Sequence, residues 1–190
     1  MAAHPKTSDA DIIAAALAVI EENGVEQLSM LAVATAVGVR GPSLYKRFAD
    51  RAALLKSVET HLFHELALDL ARAASGHGED DALREMAFAY RAFAKRHKGA
   101  YALMFSSETA GEDAIAIRFE AARPVLDVLQ RMLPDPASSL RAARALTAFC
   151  HGFVSMDIAG AFRLGGDIDE AFQEGVDLFL AGMIARSAGK

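Results

Sequence analysis

Apolar residues in this chain recur three and four positions apart almost throughout, as in Ile13, Leu17 and Ile20, or Leu54, Leu55, Val58, Leu62 and Leu66. That spacing puts them on one face of a 3.6-residue helix. The alternation of β-branched and polar residues that a half-buried strand needs is absent, and alanine, the best helix former, is abundant. The sequence therefore specifies an all-α fold. Gly and Pro clusters set the helix ends.

The first helix is expected after Ser8, with Asp11 three residues on as an acidic capping partner, and Asn23-Gly24 stops it. Ser29 is the N-cap of a short second helix that presents Val33 and Val37 and ends at Gly38. A third starts around Arg40 to Pro42, because proline suits a first helical turn, and carries Leu44 and Phe48 inward. Asp50 caps a long fourth helix reaching Ser75-Gly76-His77-Gly78. Further helices are predicted at Asp81 to His97, Tyr101 to Phe105, Asp113 to Met132, Ser138 to Arg163 and Ile168 to Arg186, about nine in all. Gly99, Gly111, Pro134-Asp135-Pro136 and Gly165-Gly166 punctuate them. The organisation expected is an N-terminal three-helix module over residues 1–56 and a helical domain over residues 57–190.

Charge singles out one region. The chain carries a formal net charge of −5, yet the 23 residues from Gln27 to Ala49 contain no Asp or Glu, where an even spread of the 25 acids would put about three. The same stretch holds Arg40, Lys46 and Arg47, and Arg51 and Lys56 follow. Two short helices joined by a tight turn at Gly38 form a helix-turn-helix, and its second helix fits a major groove about 12 Å wide. Gly41 and Pro42 keep the first turn of that helix slim. Ser43 can hydrogen-bond a base or a phosphate, and Arg40 can reach guanine with two bonds. Tyr45 and Lys46 point away from the inward Leu44 and Phe48, so they are expected to grip phosphate. Arg51, at the start of the fourth helix, is a second expected phosphate clamp, and Ser29 offers the same at the second helix. A basic helix face is in general only a solvated face; the turn spacing and the missing acids favour double-stranded DNA here.

Leu28-Ser29-Met30-Leu31-Ala32-Val33-Ala34, Val37-Gly38-Val39, Ser43-Leu44-Tyr45-Lys46-Arg47-Phe48 and Leu54-Leu55 resemble the TetR family of bacterial regulators over roughly residues 8 to 66. The resemblance implies a homodimer on a pseudopalindromic operator, a repressor released when a small-molecule effector enters the C-terminal domain. At matching positions it implies DNA contacts from Ser29, Ser43, Tyr45, Lys46 and Arg51. The C-terminal part resembles a subgroup whose effector domain carries a Trp-containing His-Gly motif, here Phe149-Cys150-His151-Gly152-Phe153, with Tyr101-Ala102-Leu103-Met104-Phe105 upstream.

Phe88, Phe93, Tyr101, Met104, Phe105, Phe119, Phe149 and Phe153 are either core or the lining of a largely apolar ligand cavity. His151 is either a hydrogen-bonded core histidine or a ligand-recognition group. Cys150 and His151 are adjacent, hence about 100° apart on a helix, too divergent for a nucleophile and its base. His61 and His64 lack an evident third metal ligand. No enzyme, cofactor or metal site is therefore expected, and a helical enzyme or binding module would need convergent polar groups that the sequence does not display. A DNA-binding dimer without any ligand is the other alternative. The last two helices carry apolar stripes and Gly152, Gly160, Gly175 and Gly182, which close helix approach across a dimer interface would compensate. No run of ~18 uninterrupted apolar residues spans a membrane. The small, polar residues Met1 to Ser8 lack the apolar block of a secretory signal and read as a disordered tail on a cytoplasmic protein.

Overall fold

The computed structural model describes residues 7–105 and 112–188. Most of the expected N-terminal tail and Gly111 lie outside the described residues. Among those described, eight α-helices and two 3₁₀ turns account for all the regular structure. The helices are α1 (Asp9–Asn23), α2 (Met30–Ala36), α3 (Gly41–Tyr45), α4 (Arg51–Ala74), α5 (Glu79–Arg96), α6 (Glu112–Met132), α7 (Pro136–Ile158) and α8 (Ile168–Ala188). The 3₁₀ turns are Val25–Gln27 and Tyr101–Phe105, so the short element expected at Tyr101 is not an α-helix. The chain forms two compact units, one from residues 1–64 and 97–117, the other from residues 65–96 and 118–190. The contacts thus divide the chain at three places, where the sequence suggests one boundary near residue 56.

In the first unit the helix starts are local chemistry. Ser8 Oγ accepts from the Asp11 amide at 3.1 Å while the Asp11 carboxylate accepts from the Ser8 amide at 2.7 Å, a reciprocal capping box. These bonds hold the Asp11 carboxyl below its ordinary range. Gly24, at φ +85°, closes α1 with its amide on the Ile20 carbonyl at 2.8 Å. The buried face of α1 is Ile12, Ala16 and Ile20. Ile13 and Leu17 are half-buried, so the buried stripe lies one position round from the expected one.

The segment after α5 completes this unit. Glu21, near the end of α1, accepts from the Gly99 amide at 2.8 Å and the Ala100 amide at 3.2 Å. The nearly buried His97 places Nδ1 3.6 Å from the same carboxylate. A Cβ on Gly99 would lie 2.7 Å from the Ile20 carbonyl oxygen, so only glycine lets the two backbones meet.

The second unit is tied by charge as well as by its core of Leu83, Met86, Phe93, Leu129, Val154 and Phe172. Arg91 of α5 is buried, donates to Asp157 of α7 at 3.0 Å and pairs with Asp169 of α8 at 2.7 Å. Lys95 joins the same two acids. Asp135 caps α7 by accepting from the Ser138 amide at 2.8 Å, so the helix begins at Pro136 rather than Ser138. It ends at Ile158, short of Arg163, because Gly160 adopts φ +62° and its amide closes the turn on the Asp157 carbonyl.

Candidate nucleic-acid interface and effector region

The reading head is built from α2, the Gly38 turn and α3. Ser29 accepts from the Ala32 amide at 3.1 Å and so fixes where α2 starts. Gly38 takes φ +68°, a conformation open to glycine at no steric cost, and the Val39 amide closes the turn on the Ala34 carbonyl at 3.0 Å. α3 follows at once with Pro42 in its first turn. It is shorter than the sequence suggests. After Tyr45 the Arg47 and Phe48 amides both bond the Leu44 carbonyl at 3.0 Å, and Phe48 lies beyond the helix while still buried.

Leu44 is fully buried and Phe48 nearly so, which anchors this element to the unit by two side chains. Arg40, Pro42, Ser43, Tyr45 and Lys46 are all exposed, Tyr45 with 55% of its surface free, and Gly41 is half-buried. Ser29 is exposed at the start of α2. The element therefore offers hydrogen-bonding groups and two cations outward around an apolar anchor.

Two cations have other work. Arg47 forms an ion pair with Asp9 in the first turn of α1, so the acid-free sequence is not acid-free in space. Arg51 does not stand out as the expected phosphate clamp. Its Nε donates to the Leu28 carbonyl at 2.9 Å and a terminal nitrogen donates to the Val25 carbonyl at 2.8 Å, and the side chain is half-buried. Two carbonyls on the loop before α2 hold it, so it positions the start of α4 against that loop. Asp50 caps α4 as expected, accepting from the Ala53 amide at 2.8 Å.

The aromatic candidates separate. Tyr101 and Met104 are buried in the first unit, and Phe105, 43% exposed there, has its ring 5.3 Å from that of Tyr101. In the second unit Phe93 is wholly buried with the Arg96 guanidinium 5.5 Å from its ring centre, and Phe119 is 56% exposed. Phe88, Phe149 and Phe153 do come together, through a residue absent from the candidate set. Phe172 of α8 lies 5.8 Å from Phe88, 5.8 Å from Phe149 and 5.0 Å from Phe153 between ring centres. Phe162 adds a contact to Phe153 at 4.8 Å. The Arg91 guanidinium sits 5.0 Å from the Phe172 ring centre. The sequence signal for Arg91 is Asp157, an acid at the end of a mostly apolar stretch of α7, where burial calls for a cation.

His151 is half-buried beside this cluster in sequence, and desolvation lowers its pKa. Burial pushes the Cys150 thiol up to about 12, which leaves it protonated and unreactive. Gly175 packs against its own chain's Phe149 ring, and Gly160 lies outside the helix at φ +62° rather than inside it as expected. Gly152 and Gly182 face open space. A groove of about 490 Å³ runs between α7 and α8, lined by Leu133, Leu178, Phe179 and Met183 with Ser138 and Arg141. None of these was an expected ligand residue. Among the described residues no helix is long and apolar enough to cross a membrane.

Residues 12–58 match the model of bacterial regulatory proteins of the tetR family, and residues 83–179 match the tetracyclin repressor-like C-terminal domain. The HTH-type transcriptional regulator Rv0681 of Mycobacterium tuberculosis is 32% identical over 184 residues, covering 96% of this chain and 84% of the relative. The HTH-type transcriptional regulator YobS of Bacillus subtilis is 27% identical over 178 residues, 91% of each chain. Among solved structures, a protein of unknown function from Rhodococcus sp. RHA1 superposes with a TM-score of 0.82 at 25% identity, covering 95% of this chain and 97% of its own. A TetR variant from Acinetobacter baumannii in complex with minocycline gives 0.73 at 23% identity, with 96% and 99% covered. The chain belongs to the TetR family of helix-turn-helix, DNA-binding transcriptional regulators.

Proposed function

We propose that this regulator is a homodimeric repressor that holds a pseudopalindromic operator through α3 and leaves it when a small, largely apolar molecule enters the second unit. One observation carries the DNA reading: Arg40, Ser43, Tyr45 and Lys46 are all exposed around the buried Leu44. Arg40 stands just before α3, at the end of the element that reaches base edges first, and there a guanidinium takes guanine with two bonds. Ser43, Tyr45 and Lys46, with Ser29, bond phosphates and set the register. Gly41 and Pro42 keep side-chain bulk away from the groove floor. Arg51 serves by placing α4.

A second copy covers the groove between α7 and α8. Leu178 lines it with 68% of its surface exposed, and Gly182 leaves room for a partner helix. The arrangement is a four-helix interface about a twofold axis. The two reading elements then meet successive major grooves, roughly 34 to 36 Å apart or the corresponding distance for a longer operator.

The effector reading rests on Phe88, Phe149 and Phe153, the half-buried candidates that meet round Phe172, with His151 as the polar neighbour. The Acinetobacter structure holds minocycline; for this chain the phenylalanine rings themselves point to an effector with a largely apolar ring system that they can stack on. Its binding shifts α4 and with it the spacing of the reading elements, which lowers operator affinity through the coupling between sites.

Selection of bound duplexes from a random pool tests the operator reading. Recovered sequences are expected to contain two inverted half-sites at a fixed spacing; recovery without inverted symmetry would refute the dimeric arrangement. Thermal-shift screening with planar aromatic compounds tests the effector reading, because a ligand of the folded state raises the melting temperature by mass action. A hit that leaves operator affinity unchanged would show that ligand and operator are uncoupled.

A further inference from the structure

Within the reading head one side chain contradicts the burial pattern of its neighbours. α2 turns Met30, Val33 and Ala34 inward, yet Leu31 stands outward with 75% of its surface exposed. Over residues 27–50 the other large aliphatic side chains, Leu28, Met30, Val33 and Leu44, are buried, and Val37 and Val39 are half-buried. One turn along, Thr35 donates its hydroxyl to the Leu31 carbonyl at 2.9 Å, so its single donor is spent on its own helix and only acceptor capacity faces outward. Ala36 beside it is exposed too. The outer surface of α2 is therefore uncharged and mostly methyl, next to an α3 whose exposed set is Arg40, Ser43, Tyr45 and Lys46.

Hydrogen-bond donors and cations recognise guanine, adenine and phosphate, but none of them recognises a methyl group. In the major groove the thymine C5-methyl is the apolar group on offer, and an aliphatic side chain is its complement. When a helix-turn-helix docks, its second helix lies in that groove and its first crosses the backbone alongside. We propose that Leu31 reads thymine, covering the C5-methyl of one thymine in each half-site at the margin of the bases that α3 contacts. This rests on the DNA-binding reading above, and it adds an apolar specificity contact to a set otherwise made of hydrogen bonds and charge.

The experiment uses the full chain and the duplex recovered by selection. Each thymine is replaced in turn, in one or both half-sites, by deoxyuridine, which lacks only the methyl group. One position is expected to lose about fourfold in affinity per half-site, and about fifteenfold when both are changed, the worth of one buried methyl each. The Leu31→Ala variant should bind thymine and uracil duplexes equally well and melt like the parent, since the side chain is not part of the core. A penalty that persists undiminished in Leu31→Ala, or no thymine position with a penalty, overturns the proposal. So does a loss of self-association in Leu31→Ala, which would make this face a protein contact. A chain that binds no duplex even at low ionic strength fails earlier, at the DNA-binding reading itself, and takes this inference with it.

Discussion

Replacing Gly99 by alanine should unsettle the DNA-binding unit from a position 48 residues beyond Arg51 in the sequence. The added Cβ would meet the Ile20 carbonyl oxygen at 2.7 Å and Glu21 Cα at 2.8 Å, both backbone atoms that cannot swing aside. Relief requires the end of α1 and the segment after His97 to part by several tenths of an ångström. Overpacking of this kind costs about 1–3 kcal/mol. The same movement stretches the bonds from the Gly99 and Ala100 amides to the Glu21 carboxylate, now 2.8 and 3.2 Å. Each charge-assisted bond is worth about 1.5–3 kcal/mol. These losses overlap, because parting the backbones relieves the clash by sacrificing the bonds, so a combined cost of about 3 kcal/mol is expected. For a chain of this size that is a fall in melting temperature on the order of 6–12 °C. Circular-dichroism melts of Gly99→Ala and the parent measure it. Glu21→Gln, which keeps the shape and an acceptor oxygen, should show a smaller fall. A Gly99→Ala melt within about 1 °C of the parent would refute the close-approach reasoning.

Other substitutions separate roles that the sequence merges. Lys46→Ala should weaken binding to every duplex and reduce the slope of log affinity against log salt by about one phosphate contact. Arg51→Met should leave that slope intact yet lower the melting temperature, because it deletes two bonds to backbone carbonyls; a changed slope would restore Arg51 as a phosphate contact. Leu178→Lys places a charge in the apolar groove between α7 and α8 and should give monomers by analytical ultracentrifugation, with operator binding lost; a persistent dimer would move the interface elsewhere. Desolvation holds His151 below its ordinary pKa, so the unfolded chain takes up the proton first as pH falls. Stability is thus complete above about 6.5, declines as pH drops through that value and levels off below the folded pKa. His151→Gln should lose that part of the acid sensitivity, and pH titrations of chemical unfolding that superpose for the two proteins would exclude it.

How far the sequence could be read depends on the range of the chemistry involved. Ser8, Ser29 and Asp50 cap helices by bonding amides three residues away, and Gly38 supplies its own turn, so the reading head is legible from neighbours alone. The partners of Arg47 and Arg51 are 38, 23 and 26 residues distant. No local pattern distinguishes those two arginines from Lys46, and only the packed unit shows which cations remain outward. The same holds for the aromatics. Phe88 and Phe93 share a helix, but their five-residue separation turns them to different faces, and the meeting of Phe88, Phe149 and Phe153 is arranged by Phe172 on another helix. Gly160 and Gly152 look alike in sequence; one ends a helix at positive φ and the other lies within it.

The Glu21 clasp also bears on how this protein can be made and cut. Because residues 97–117 belong to the same compact unit as residues 1–64, a nascent chain cannot finish that unit until its second stretch has left the ribosome. A chimera carrying only the N-terminal stretch, grafted onto another sensor, would leave the Glu21 carboxylate facing whatever the new host supplied. Transplants of this regulator's operator preference should therefore carry the later stretch along with the first.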